Sequence, residues 1–152
     1  MRRALAHDIP LLVGLMAEFY AEGGYALDQT CAANAFAALI GDQSQGSAWV
    51  IEADHQAVGH AVLTLRFAME YGGTVAYLDD LYVQPPSRNK GLAAAALAEL
   101  RKVCEKAGVR AMMVEAGVNN GPAQSVYRRA GFAEAADRRV LALPLAAPAH
   151  IA

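Results

Sequence analysis

The sequence predicts an α/β protein in which a mixed sheet carries helices on both faces. Three observations point to it. Between Ser47 and Val83, three strand-like segments follow one another across short turns. Before and after that block, apolar residues recur at three- and four-residue steps, the period of amphipathic helices. The stretch Thr74 to Ala98, TVAYLDDLYVQPPSRNKGLAAAALA, passes from an apolar strand through a Pro-rich turn into an Ala/Leu-rich helix. The rest of the chain is organised around that stretch.

Taken in order, Arg2 to Ala6 forms a short first strand. Asp8 is placed to cap a helix with Pro10 in its first turn, and Leu11, Leu12, Leu15, Met16 and Phe19 carry it to about Ala21. Glu22-Gly23-Gly24 breaks it. Asp28 caps a second helix with the stripe Cys31, Ala35, Leu39 and Ile40, ending at Gly41. Ser47 to Glu52 is a strand, and Asp54-His55-Gln56 is a turn. Ala57 to Glu70 is a long strand, apolar on both faces as a central strand is. Tyr71-Gly72-Gly73 turns the chain into the strand that holds Asp79 and Asp80.

The helix from Leu92 to Ala107 buries Leu92, Ala96, Leu100, Val103, Cys104 and Ala107, and Gly108 closes it. Arg110 to Glu115 is a strand and Ala116 to Asn120 a loop. Pro122 starts a last helix with Val126 and Ala130 inward and Gly131 as its stop. Phe132 to Leu145 holds two further short strands. The predicted order is β-α-α-β-β-β-α-β-α-β-β, one domain over 1–146 with a short tail at 147–152.

Composition narrows the function. At 152 residues with 55% hydrophobic and 18% charged content, the chain is globular. A net charge of -2 argues against nucleic-acid or anionic-membrane binding. No apolar run reaches the roughly 18 residues of a membrane span. His7, Asp8 and Pro10 interrupt any signal-like core, so a cytoplasmic location is expected. Cys31 and Cys104 fit reduced, buried thiols, and His7, His55, His60 and His150 have no metal-ligand spacing, so no metal is expected.

The chemistry lies in the turn Arg88-Asn89-Lys90-Gly91-Leu92-Ala93. A strand that enters a helix in this way presents unpaired backbone N–H groups and the positive end of the helix dipole, which suits a phosphate. Gly91 and Ala93 let a ligand approach the backbone, and Arg88 and Lys90 add positive charge. Arg88-x-x-Gly91-x-Ala93 alone arises by chance in roughly one chain in ten of this length. The strand before it, the helix after it and a second motif, Asn120-x-x-Ala123-x-x-x-Tyr127-x-x-x-Gly131-Phe132, make it specific.

With these two motifs in this order, the chain resembles the GCN5-related N-acetyltransferase (GNAT) family over nearly its whole length. The resemblance implies an acyl-CoA N-acyltransferase fold with a central, mostly antiparallel sheet, and acetyl-CoA as cosubstrate. In such enzymes the turn here formed by Arg88, Asn89, Lys90, Gly91, Leu92 and Ala93 binds the pyrophosphate through backbone N–H groups. The strand Leu81-Tyr82-Val83 pairs with the pantetheine amides as a pseudo-strand. The second motif implies contacts from Asn120 and Ala123 to the same arm, and Tyr127 beside the thioester sulfur, protonating the departing thiolate. Ala93 stands where Gly is commoner, and Asn89-Lys90 where Arg-Gly is usual. Tyr77-Leu78-Asp79-Asp80-Leu81-Tyr82-Val83 is similar to the matching strand of the polyamine (spermidine/spermine) acetyltransferase branch, whose first acidic residue is the base.

The residues support that chemistry independently. An amine with pKa near 10 must lose a proton before it attacks a thioester, and a carboxylate takes it directly or through water. The developing oxyanion needs a donor, which a strand N–H provides. The leaving thiolate needs an acid, which a Tyr hydroxyl can be. Asp79 and Asp80 are adjacent in a strand and are expected on opposite faces, Asp79 with Tyr77, Leu81 and Val83, and Asp80 with Leu78 and Tyr82. Asp79 is the expected base and Asp80 its support or the substrate anchor.

Plainer readings stand beside these. The Arg88–Ala93 turn could be an ordinary helix start, Tyr127 a core aromatic, Asn120 a helix cap, and the acidic pair a solvated strand end or a buried pair satisfied by backbone. Glu18, Tyr20, Glu22, Tyr25 and Glu70 are candidates for an acceptor pocket, with Glu22 and Tyr25 put forward for substrate binding, or a solvated face. The expected function is acetyl transfer from acetyl-CoA to a primary amine of a small molecule, such as a polyamine, amino acid or amino sugar. The alternatives are a protein N-terminus or lysine as acceptor, and a CoA-binding sensor without turnover. An exposed final strand permits a homodimer.

Overall fold

The computed structural model describes residues 1–135, 140–143, 145 and 150–151. The elements are β1 (Arg2–Arg3), α1 (Ile9–Glu22), β2 (Ala26–Leu27), α2 (Gln29–Gly41), β3 (Gly46–Ala53), β4 (Gln56–Ala68), β5 (Gly73–Val83), α3 (Leu92–Lys106), β6 (Met112–Val114), α4 (Gly121–Arg129) and β7 (His150–Ile151). Five strands form one sheet in the order β1-β3-β4-β5-β6, antiparallel except for the β5–β6 pair. The fold expected from the sequence is therefore observed.

Each face of the sheet has its own core. Leu12 and Val13 of α1 and Ala32 and Phe36 of α2 pack on Ala48, Val50 and Val62. On the other face Leu97, Leu100 and Cys104 of α3, with Val126 and Tyr127 of α4, cover Ala61, Leu63, Ala76 and Leu78. The central strand β4 is buried without interruption from Val58 to Leu63, which is why its sequence hides the period of two. The β3–β4 hairpin closes through Asp54 and His55, both at positive φ, as a tight turn between right-twisted strands requires.

Several expectations change. The buried stripe of α2 is Ala32 and Phe36, one position from the expected Cys31 and Ala35, because Phe36 fixes which face is inward. Cys31 is exposed and only Cys104 is buried. In α3, Leu97 is buried in place of Val103 and Ala107. The long strand ends at Ala68, and Met69–Tyr71 forms a 3-10 turn. Of the two strands expected over Phe132 to Leu145, residues 132–135 and 140–143 form none, while 136–139 and 144 lie outside the described residues. Strand pairing occurs instead within the tail, where β7 joins β2.

Asp8 occupies the N-cap position of α1, but its side chain does not cap the helix. Its carboxylate accepts from the Arg2 guanidinium at 2.7 and 2.8 Å and from the Leu5 N–H at 2.8 Å, tying β1 to α1. The Arg2 bond, against the opposing effect of burial, lowers its pKa to about 2. A depressed carboxylate stabilises the fold above its unfolded pKa near 4, and that contribution fades as pH falls toward 2. Asp8→Asn is expected to cost about 1–2 kcal/mol at neutral pH, discounted for the exposure of Arg2. Melting curves of variant and wild type should converge toward pH 2. A constant gap across that range would contradict the ion pair.

Candidate active site

The site begins where β5 and β6 part. They pair only at Ala76–Leu78 against Met112–Val114. Beyond Leu78, β5 continues to Val83 against β4 alone, so one backbone edge of Leu81-Tyr82-Val83 has no strand partner among the described residues. The register slips at the same place. Leu63 faces Leu78 and Val62 faces Asp80, leaving Asp79 as the extra residue of a β-bulge.

The bulge overturns the simple alternation. Leu78 belongs to the α3 face, whereas Asp80 lies opposite Val62 on the α1 face together with Tyr82. Asp79 also bonds the hydroxyl of Thr64, on the α1 face by alternation with Leu63 and Leu65, so the two carboxylates converge. Asp79 is exposed and Asp80 is buried. Desolvation raises the Asp79 pKa, the Thr64 bond opposes it, and the charges of Asp80 and Glu115 add to the rise. A carboxylate raised in this way is a better proton acceptor than an ordinary surface Asp.

Helix α1 forms the opposite wall. Burial and the charges of Asp80 and Asp79 push the Tyr20 phenol up to about 12. One turn of α1 places Glu18 and Glu22 on one side, and the Tyr82 hydroxyl donates to them at 3.2 and 3.4 Å. Burial and the Glu18 bond likewise push Tyr82 to about 12. Tyr25 sits exposed on the loop after α1, its ring against Gly23. Glu70 lies in the turn before β5, at the end of the strand remote from Asp79.

The phosphate turn follows β5. Asn89 and Gly91 have φ of 60° and 77°, and Gly91 is the N-cap of α3 with no side-chain cap bond. The first N–H groups of a 15-residue helix thus face outward with no intrahelical acceptor. Among the described residues, nothing beyond its chain neighbours stands within 4 Å of where a Gly91 side chain would begin. Lys90 is exposed on the same turn. Arg88, expected to add charge there, instead reaches across to α1. It donates to Glu22 at 2.6 Å and to the Val83 carbonyl at 2.7 Å, and it lies over the Tyr82 ring. These free donors, the open Gly91 and the β5 edge that no described strand covers fit a ligand with a diphosphate and an extended amide arm.

Helix α4 closes the far side. Asn120 is its cap, accepting from the Ala123 N–H at 3.2 Å. Tyr127 is partly buried, edge-on to Phe132 at 5.8 Å. Burial raises its pKa, and the Asp80 charge adds to that. Among the described residues no three His, Cys, Asp or Glu come together as metal ligands, and no helix is long and apolar enough to cross a membrane.

Two features escaped the sequence. The Arg88–Glu22 pair joins residues 66 apart, and nothing local announces it. His60 is fully buried beside Asp80. Its only signal is a polar residue inside Ala57-Val58-Gly59-His60-Ala61-Val62-Leu63, where a buried polar group needs a partner.

Comparison with known proteins agrees with this geometry. The model of the Acetyltransferase (GNAT) family matches residues 14–132. An aminoglycoside N(6')-acetyltransferase type 1 of Klebsiella aerogenes is 32% identical over 94 residues, covering 60% of this chain and 62% of that relative's length. An integron cassette protein from the mobile metagenome of Cole Harbour Salt Marsh superposes with a TM-score of 0.89 at 45% identity, over 97% of this chain and 91% of the other. At 20% identity, where the fold alone is shared, two further structures are similar. A predicted acetyltransferase with acetyl-CoA from Clostridium acetobutylicum has a TM-score of 0.78, over 93% and 94% of the two chains. The aminoglycoside N-acetyltransferase AAC(6')-Iy in complex with CoA has 0.79, over 94% and 91%.

Proposed function

The chain belongs to the Acetyltransferase (GNAT) family, and from that premise we propose that it moves the acetyl group of acetyl-CoA to a primary amine of a small cationic molecule. The observation that carries this reading is the bulge at the β5–β6 split. It breaks the alternation of β5 at Asp79, so that Asp79 and Asp80 need not face opposite sides, which supports their acting together on one acceptor. The similarity to an aminoglycoside acetyltransferase supports a small-molecule acceptor. The neighbours with acetyl-CoA and CoA support the cosubstrate.

In this reading the N–H groups of Asn89 to Ala93 hold the pyrophosphate. The free edge of Leu81-Tyr82-Val83 pairs with the pantetheine amides, with Asn120 and Ala123 at the far side of that arm. Asp80 draws in the ammonium, while Glu22, whose charge is paired with Arg88, and Tyr25 lie toward the rim. Asp79 takes a proton from the ammonium, and the freed nitrogen attacks the thioester carbonyl. The C–N bond forms, the C–S bond breaks, and the Tyr127 hydroxyl donates to the departing thiolate. The raised pKa of Tyr127 keeps it protonated for that role.

Acetyl-CoA at about a hundredfold excess over its Kd is expected to raise the melting temperature by roughly 5–10 °C. Gly91→Glu should abolish the rise while the unliganded variant still folds, since the left-handed backbone there costs a side chain only about 1–2 kcal/mol. An unchanged melting curve at millimolar acetyl-CoA would refute the cosubstrate site. For the acceptor, a diamine or polyamine should turn over faster than an acidic amino acid, and added salt should raise its KM. A preference for anionic amines would refute the cationic acceptor.

A further inference from the structure

His60 has no place in the reaction as described, yet its position is hard to explain as packing. It sits on the central strand opposite Tyr82 and is 0% exposed. Around it are Phe19 of α1, Phe36 of α2 and Tyr82 of β5, with ring centroids at 6.3, 6.5 and 6.0 Å. Its Nε2 lies 3.3 Å from Oδ2 of Asp80. Its Nδ1 is buried with no hydrogen-bond partner. An imidazole in an apolar shell costs free energy that a Leu or Phe there would not.

An ionised carboxylate only accepts, so toward Asp80 in that form Nε2 is the donor. Nδ1 is left without a partner. The ionisable groups that face this pair are Tyr82 on β5, with Glu18 and Glu22 beyond it, and on α1 Tyr20, which feels the charges of Asp80 and Asp79. Arg88 is turned toward Glu22. His60 is the donor the structure gives to the buried Asp80 carboxylate.

We propose that His60 is a positioning residue for acetyl transfer: by donating to Oδ2 it holds the Asp80 carboxylate in one orientation, with Oδ1 left to receive the acceptor's ammonium beside Asp79. The role rests on the acetyltransferase reading, since it assigns Asp80 to the acceptor.

Two variants test it. His60→Gln keeps an N–H donor at the place of Nε2, whereas His60→Leu removes the donor and suits the apolar shell. His60→Leu should lower kcat/KM for the amine about 10- to 100-fold, the effect of losing a hydrogen bond to a buried charge. KM for acetyl-CoA should stay unchanged, and the loss should fall on the amine's KM. His60→Gln should retain most of the activity and the wild-type KM for the amine, even if it melts below His60→Leu. A residue that only fills space predicts the reverse order. Crystal structures of both variants in the unliganded state read the contact without turnover. The Asp80 carboxylate should leave its wild-type rotamer in His60→Leu and keep it in His60→Gln, and an unmoved Asp80 in His60→Leu overturns the proposal whatever the enzyme does. If Asp80 moves but the wild type acetylates no amine, the acetyltransferase reading fails and the positioning role fails with it.

Discussion

Replacing Tyr127 with Phe is expected to lower turnover about 10²–10⁴-fold, the range for losing a general acid. The ring is packed edge-on against Phe132 and lies in the core under α4. Phe keeps those contacts, so the fold and the stabilisation by acetyl-CoA should survive. Burial and the Asp80 charge raise the Tyr127 pKa, so the phenol is protonated throughout the neutral range. Changing the pH between 6 and 9 should therefore not restore the variant. Near-normal turnover in Tyr127→Phe would return the residue to the core and leave water to protonate the thiolate.

Asp79→Asn is expected to lower the rate by a similar factor at neutral pH, with a different signature. Raising the pH should partly restore it, because more of the amine is then already deprotonated. Stability gives a second handle. Desolvation raises the folded-state pKa of Asp79 above the unfolded value, so the fold loses stability as pH rises through that pKa and the group ionises. At neutral pH, Asn at this position should melt no lower than Asp, so lost activity cannot be put down to unfolding. Asp80→Asn should show weaker rescue by pH and a larger rise in acceptor KM. The same rescue profile in both variants would mean that the bulged pair titrates as one site, with no separate roles for its two carboxylates.

The parts of this architecture that were legible in the sequence are those with local causes. Asp28 caps α2 by accepting from the Cys31 N–H, Gly91 starts α3 and Gly108 ends it, each through chemistry within a few residues. What was not legible depends on register or on contacts distant in sequence. The bulge at Asp79 is a property of two strands paired with a slip, and a single strand read alone yields strict alternation. The stripe of α2 was misphased because Cys31 and Ala35 are small enough to sit on either side, and only the sheet beneath Phe36 decides. Arg88 looked like a phosphate ligand from its motif, but Glu22 on α1 holds its guanidinium. His60 was one of four scattered histidines until β4 set it beside Asp80.

Acetyl transfer is tested most directly by following CoA thiol release and acetylated amine together, with acetyl-CoA and a panel of diamines, amino sugars and amino acids. The account predicts one thiol released per amide formed, highest with cationic acceptors. Intersecting initial-rate lines should show that both substrates are present before either product leaves. Stabilisation by acetyl-CoA with no amine-dependent thiol release from any member of the panel would contradict it and mark the chain as a CoA-binding module.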